Sequence, residues 1–353
     1  MDHKTFNSSI NIGISLLYTV LFLTGCANSN NDHELFEIKL SESKVDKVVV
    51  SSMNMNEPYQ LSFFSLIQAN NSGLVVTHTQ SNSDVVLSYI DQQNYSPCCV
   101  EFTPLVEKGR GPGEVTDIAA SSKSFNSDTL IFYSLAEAKF ILFDRELKLI
   151  NELNFFPGDV SVRHNFTLGN GKLIISYNPQ VNENNKLLKI FDLESNSGVD
   201  VIEPRVPVGY EPVIRNIAGA IGSTPNNILV ALIGDREIRI LDYDGSQVGT
   251  IKLGVNDPIG EPFKINSQKK STRATAYISK IEHYKDHIFV LYQTELLIFD
   301  RINFLLKKRI KFYSDIEDSS LSVSDFSVGR DVLYIREGRN NLYETVINPN
   351  WVQ

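Results

Sequence analysis

Lys285-Asp286-His287-Ile288-Phe289-Val290-Leu291-Tyr292-Gln293-Thr294-Glu295-Leu296-Leu297-Ile298-Phe299-Asp300 holds two apolar runs separated by a polar turn, the second run ending in an aspartate. Both runs are short, rich in β-branched and aromatic residues and bounded by turn formers, which is the mark of paired strands rather than of a helix. The figure recurs along the chain. Asn71-Ser72-Gly73 precedes Leu74 to Val76 and then Val85 to Asp91, and Asn126-Ser127-Asp128 precedes Leu130 to Tyr133 and then Phe140 to Asp144. Gly169-Asn170-Gly171 precedes Leu173 to Ser176 and then Leu187 to Asp192, and Pro225-Asn226-Asn227 precedes Ile228 to Ala231 and then Ile238 to Asp242. Last, Gly329-Arg330-Asp331 precedes Val332 to Ile335 and then Asn341 to Val346.

Leu74, Leu130, Leu173, Ile228, Ile288 and Val332 take equivalent places, roughly 43 to 60 residues apart, which is the period of a four-stranded unit with loops of variable length. A lone four-stranded sheet cannot cover both of its faces, so each unit must stack on the next, and closing the ring removes the bare ends. The predicted fold is therefore all-β: a six-bladed β-propeller of four-stranded antiparallel blades over residues 34–353. Innermost strands are expected in Leu61 to Ile67, Val115 to Ala120, Val160 to Leu168, Val213 to Ala218, Ala276 to Ile281 and Leu321 to Val328. Outermost strands are expected in runs such as Leu147 to Phe155, Gln247 to Leu253 and Phe304 to Phe312. Glu34 to Val50 precedes the first full repeat, and either Leu35 to Leu40 or Val45 to Val50 is predicted to complete the last blade and close the ring.

The N-terminus reads as a targeting segment. Lys4 supplies a positive start, Ile10 to Leu23 an apolar run, and Leu23-Thr24-Gly25-Cys26 its end. A run of this length is too short to span ~30 Å of hydrocarbon, so residues 1–25 are expected to be a signal that is removed. The segment resembles the bacterial lipoprotein signal, which implies acylation of Cys26 and stable anchoring without a membrane-crossing helix. Residues 26–33 are polar and Asn-rich, as a flexible tether would be, and lack an aspartate close after Cys26, which points to the outer membrane of the cell envelope.

One motif carries a family resemblance. Gly109-Arg110-Gly111-Pro112-Gly113-Glu114-Val115 looks like the Gly-rich turn of the six-bladed, TolB-like propeller lipoproteins common in Bacteroidota, and it is similar to the turn entering each blade of NHL-repeat propellers. The resemblance implies the fold and hands over no catalytic residues. Gly109, Gly111, Pro112, Gly113 and Glu114 are expected to form a tight structural turn between blades. The run is not a phosphate loop, because Glu114 and a strand follow where Lys, Ser or Thr and a helix would be needed.

Charge and composition narrow the function. The formal net charge is −9, and Lys269-Lys270-Ser271-Thr272-Arg273 is a short loop rather than a basic stripe, so nucleic acid is not an expected partner. Beyond Cys26 the only cysteines are the adjacent Cys98 and Cys99, which cannot build a disulfide framework. His78, His164, His283 and His287 lack metal-ligand spacing and read as surface residues, so no metal site and no cofactor are expected. Ligands of propellers sit where the inner strands begin. That places Ser65, Asp117, Arg163, His164, Arg215, Asn216, Lys280 and Asp325 as candidate ligand-binding residues at a channel mouth. The expected activity is binding or scaffolding of a protein, peptide or glycan. The competing expectation is a metal-assisted hydrolase or lyase that uses the charged channel residues.

Overall fold

Residues buried on both faces cannot alternate apolar with polar, and the strands at the middle of each repeat follow that rule. The computed structural model of the chain describes residues 33–53, 67–70, 72–77, 85–92, 102–125, 129–154, 166–176, 186–202, 218–254, 263–266, 271–274, 276–316, 319–338 and 341–352. These residues are all-β apart from two single turns of 3-10 helix, Leu40–Glu42 and Pro349–Trp351. No helix among them is long and apolar enough to cross a membrane.

Two strands, β1 (Glu34–Ile38) and β2 (Val45–Ser52), precede the repeats. The first sheet holds β3 (Ile67–Ala69), β4 (Gly73–Thr77), β5 (Val85–Asp91) and β6 (Thr103–Glu107). The second holds β7 (Ala120–Lys123), β8 (Thr129–Ser134), β9 (Lys139–Asp144) and β10 (Leu149–Asn154). The third holds β11 (Phe166–Gly169), β12 (Lys172–Ser176), β13 (Leu188–Asp192) and β14 (Ser197–Val201). In the fourth, β15 (Ala218–Ser223), β16 (Ile228–Leu232), β17 (Glu237–Leu241) and β18 (Gln247–Leu253) are joined by β1, which pairs in parallel with β18. A separate hairpin, β19 (Phe263–Asn266) with β20 (Ser271–Ala274), follows. The remaining strands are β21 (Ile278–Tyr284), β22 (His287–Tyr292), β23 (Glu295–Asp300), β24 (Leu306–Ser314), β25 (Val323–Val328), β26 (Val332–Glu337) and β27 (Asn341–Val346). They form one eight-stranded sheet in the order β21-β22-β23-β24-β2-β27-β26-β25. Apart from the two parallel pairings of β1 and β2, every described pairing between these strands is antiparallel, while isolated parallel bridges link Lys108 to Val115 and Ser124 to Leu168.

The second strand of each repeat is buried along nearly its whole length, as in β16 and β22, whereas β18 and β24 at the outer side alternate. The cause is the set of cores between consecutive sheets. Val75, Leu87 and Val106 of the first sheet pack with Phe132 and Ile141 of the second. Tyr133 and Phe140 continue to Phe166 and Leu173, and Ile174 and Ile190 to Val230 and Leu241. Leu229 and Ile251 meet Val290 and Phe299, and Phe289 and Phe312 meet Phe326 and Ile335. Finally Val332, Tyr334 and Leu342 pack on Ile67, Leu74 and Val76, so the last sheet returns to the first.

The aspartate that ends the second apolar run has a structural role. Its Oδ1 accepts backbone N–H groups two to four residues on: Glu146 and Lys148 at Asp144, Glu194 and Ser195 at Asp192, Asp244 and Ser246 at Asp242, Ile302 and Asn303 at Asp300. Such turns satisfy amides that the hairpin leaves unpaired.

Of the two candidates for completing the last repeat, Glu34–Ile38 lies elsewhere, with Phe36 opposite Ile251 in the fourth sheet. Its Phe36 ring packs 5.2 Å from Phe304, which gives it a reason to stay there. The second candidate, Val45 to Val50, pairs in parallel with β24 instead, and it is the two residues after it, Ser51 and Ser52, that pair with Glu344 and Tyr343 of β27 in the last repeat. Among the first strands whose expected ranges are described, Val323–Val328 falls within Leu321 to Val328 and Ile278–Tyr284 overlaps Ala276 to Ile281, whereas one lies further along the chain than its apolar run indicated. That one is Val115 to Ala120, where the strand is Ala120–Lys123 instead. The reason is chemical: Ala-Ser-Ser-Lys faces a crowded polar axis and carries none of the bulky apolar residues that mark a strand. Of the other expected ranges, residues 61–66, 160–165 and 213–217 lie outside the described residues.

Candidate functional site

Successive residues of a strand point to opposite sides, so residues two apart share a face. On β21 that pairs Lys280 with Glu282, and on β25 it pairs Asp325 with Ser327. These four side chains meet Gln68 of β3 and Lys123 of β7 between the first strands of their repeats. Lys280 Nζ lies 2.9 Å from Asp325 Oδ1 and 3.2 Å from Glu282 Oε1, and Lys123 Nζ lies 2.8 Å from Glu282 Oε2. Lys123 and Glu282 are each only 4% accessible, so this ion pair is buried in full.

Glu282 is saturated with donors. Besides the two ammonium groups it accepts from the Ser327 hydroxyl at 3.0 Å, the Val328 amide at 2.9 Å and Gln68 Nε2 at 3.3 Å. Asp325 is similarly held, by the amides of Phe326 at 2.8 Å and Ile67 at 3.2 Å. Lys123 also donates to the carbonyl of Val328, and Lys280 to that of Ile67 at 3.1 Å. The network therefore ties the first, second, fifth and last repeats together.

Burial pushes the Glu282 carboxyl up, but Lys123 and Lys280 overcome it and leave the group at about 2. Burial also pulls the Lys123 ammonium below the ordinary lysine value against the attraction of Glu282. At Lys280, by contrast, Asp325 and Glu282 outweigh burial and raise it. A carboxylate depressed on folding stabilises the fold fully above its free value of 4.5 and loses that contribution as the pH falls to about 2. Thermal unfolding followed across that window is expected to show a steep acid loss in the wild type and a shallower one in Glu282→Gln.

Around the network lies a cavity of about 210 Å³, bordered by all the first strands from β3 to β25. Ser121, Ser122, Ser279 and Lys280 are half-buried on its wall, as is the ring of Phe125. His283 lines it as well, its Nδ1 2.8 Å from the carbonyl of Phe125. His283 and His287 are buried, which corrects the expectation of surface histidines: the Lys285-Asp286 turn is tight, and the residues flanking it pack between sheets. Burial lowers both imidazoles below the ordinary value, so His283 is neutral and its bond to a carbonyl fixes the proton on Nδ1.

Lys280 and Asp325 are thus the sequence-identified residues that the structure brings together on the cavity wall. Asp117 serves the turn between β8 and β9, accepting from the Ser134 hydroxyl at 2.7 Å and the Ala136 amide at 3.1 Å. Ser65, Arg163, His164, Arg215 and Asn216 lie outside the described residues, as do His78, Cys98 and Cys99. Gln68, Lys123, Glu282 and Ser327 were not singled out from sequence. For Glu282 and Ser327 the available signal is the two-residue spacing from Lys280 and Asp325; Gln68 and Lys123 carry no such local signal.

The Gly-rich turn joins β6 to β7. Glu114 folds back over it and accepts the Gly111 amide at 2.7 Å, and a Cβ at Gly109 would lie 2.0 Å from that carboxylate. Gly113 has φ +76°, its amide donates to Glu152, and Lys139 Nζ bonds the Glu114 carbonyl at 2.8 Å. Pro112, at the exposed tip, needs no amide partner. Among the described residues no three His, Cys, Asp or Glu side chains gather as metal ligands do.

No family model matches the chain, and no curated protein matches it in sequence. Solved structures do match in fold. A protein of Bacteroides fragilis described as exported superposes with a TM-score of 0.50 at 11% identity, over 88% of this chain and 99% of that one. A member of the DUF4221 family from Bacteroides vulgatus gives 0.47 at 9% identity, over 86% and 98%. The β-propeller domain of Swd1 from Myceliophthora thermophila gives 0.43 at 12% identity, over 82% and 98%.

Proposed function

We propose that the chain is a lipoprotein of the cell envelope whose residues 34–353 form a six-bladed, TolB-like or NHL-like β-propeller that binds a protein, peptide or glycan without transforming it. The blade count is supported by the order of contacts: the first strands touch in the sequence β3, β7, β11, β15, β21, β25 and back to β3. On that reading the eight-stranded sheet is two blades bridged by β2. Anchoring rests on the Leu23-Thr24-Gly25-Cys26 motif, with residues 1–25 removed and 26–33 as tether. Outer-membrane residence rests on the lack of an aspartate close after Cys26.

Binding rather than catalysis is supported above all by the state of the charged groups in the cavity. A general acid or base works best with a pKa near the working pH and a free coordination position. Glu282 is depressed far below neutrality and is bonded to five groups, so its charge serves the architecture. The ligand is then met by hydroxyls and an aromatic ring.

Palmitate-analogue labelling of cells expressing the full chain, followed by native mass spectrometry of the detergent-purified protein, tests both halves. Label on wild type, its loss with release from the membrane fraction in Cys26→Ala, and a bound compound that stays unchanged on incubation are the expected results. An unlabelled wild type would remove the anchor from the reading. Chemical conversion of the bound compound would favour a hydrolase or lyase.

A further inference from the structure

We infer that the cavity seats a single sugar-acid ring, a hydroxyl-rich ligand carrying one carboxylate, of the kind that ends or branches an acidic polysaccharide; this rests on the binding role proposed above. The size comes first. At about 210 Å³ the cavity is smaller than the roughly 300–1,000 Å³ of pockets for drug-sized molecules, so it suits one small ring rather than a peptide side.

The wall supplies what such a ring requires. Ser121, Ser122 and Ser279 present small hydroxyls that can both donate and accept, matching the hydroxyls of a sugar. Phe125 offers a half-buried aromatic face against which the C–H side of the ring can lie, and it stands edge-on to His283 with centroids 6.3 Å apart. Because Nδ1 of His283 holds the proton, its Nε2 is an acceptor. That atom is buried with no partner among the described residues.

The carboxylate follows from charge. Lys123 and Lys280 are balanced by Glu282 and Asp325, and Arg336, also on the cavity wall, leaves one positive charge over among the described lining residues. Its NH1 is spent on the Gly338 carbonyl, while its Nε is buried without a partner among the described residues. A guanidinium donor left over beside a cavity favours an anionic oxygen, and charge-assisted bonds of this type are the strong ones. One surplus charge suits one carboxylate and gives no such match to a neutral hexose.

Saturation-transfer NMR on the folded wild-type chain, with D-glucuronate, D-galacturonate, D-glucose and a set of tripeptides as probes, tests the inference. Transfer to the ring protons of a uronate, with glucose about tenfold weaker, is expected. Arg336→Met should bring the uronate down to the glucose level, and Phe125→Ala should weaken both about equally. Ser279→Phe, which fills the cavity from a half-buried position, should abolish transfer while the circular dichroism spectrum stays that of the wild type. Equal transfer to glucose and glucuronate in the wild type overturns the carboxylate assignment. Transfer to tripeptides alone overturns the sugar class and leaves the binding role standing, whereas no transfer from any probe counts against both.

Discussion

Glu282→Leu is expected to lower the stability of the protein by about 3–5 kcal/mol, because it strands the buried Lys123 ammonium with the Val328 carbonyl as its remaining partner among the described residues. Lys280 suffers less, since Asp325 remains 2.9 Å away. Urea unfolding reads the effect as a fall in the midpoint with little change of slope. The double replacement Lys123→Met with Glu282→Leu removes both charges together, and it is expected to recover most of the loss, as apolar replacements of buried pairs commonly do. A single variant that unfolds at the wild-type urea concentration would show that the pair is not buried as described. The experiment thus separates the cost of an orphaned charge from the worth of the bond.

The second large effect is expected at β2, where adjacent residues should behave in opposite ways. Val50 is 1% accessible and packs with Phe312, Phe326 and Ile335, whereas Val49 points outward and is 60% accessible. Val50→Asp puts a carboxylate into that core with no cation to meet it, so a loss of at least about 3 kcal/mol is expected in thermal or urea unfolding. Val49→Asp should stay within about 0.5 kcal/mol of the wild type. Reversed behaviour of the two variants would mean that the register of β2 against β24 is wrong by a residue, since one step exchanges the faces of the strand, and equal behaviour would mean that β2 does not bury one face there.

How far the sequence could be read depended on which face of each strand carried the information. The second strands of the repeats, such as β16 and β22, are covered on both sides, and their apolar runs identify them directly. The recurring aspartates were visible as a pattern, but their task of holding hairpin amides became clear only from the bonds at Asp144, Asp192, Asp242 and Asp300. The first strand of the second repeat lies further along than its apolar run indicates, because Ala120-Ser121-Ser122-Lys123 resembles a loop when its neighbours across the axis are unknown. For the same reason Lys280 and Asp325 were found whereas Lys123 was not. Its partner Glu282 is 159 positions away in the chain, and nothing local to either residue signals the other.

The double pairing of β2 also sets an order on synthesis. This strand leaves the ribosome among the first parts of the fold, yet its partners β24 and β27 are among the last to be made. Until the final strands emerge, Val50 has no completed core to enter. A chain that has made β2 alone thus carries Val50 uncovered until β24 and β27 follow.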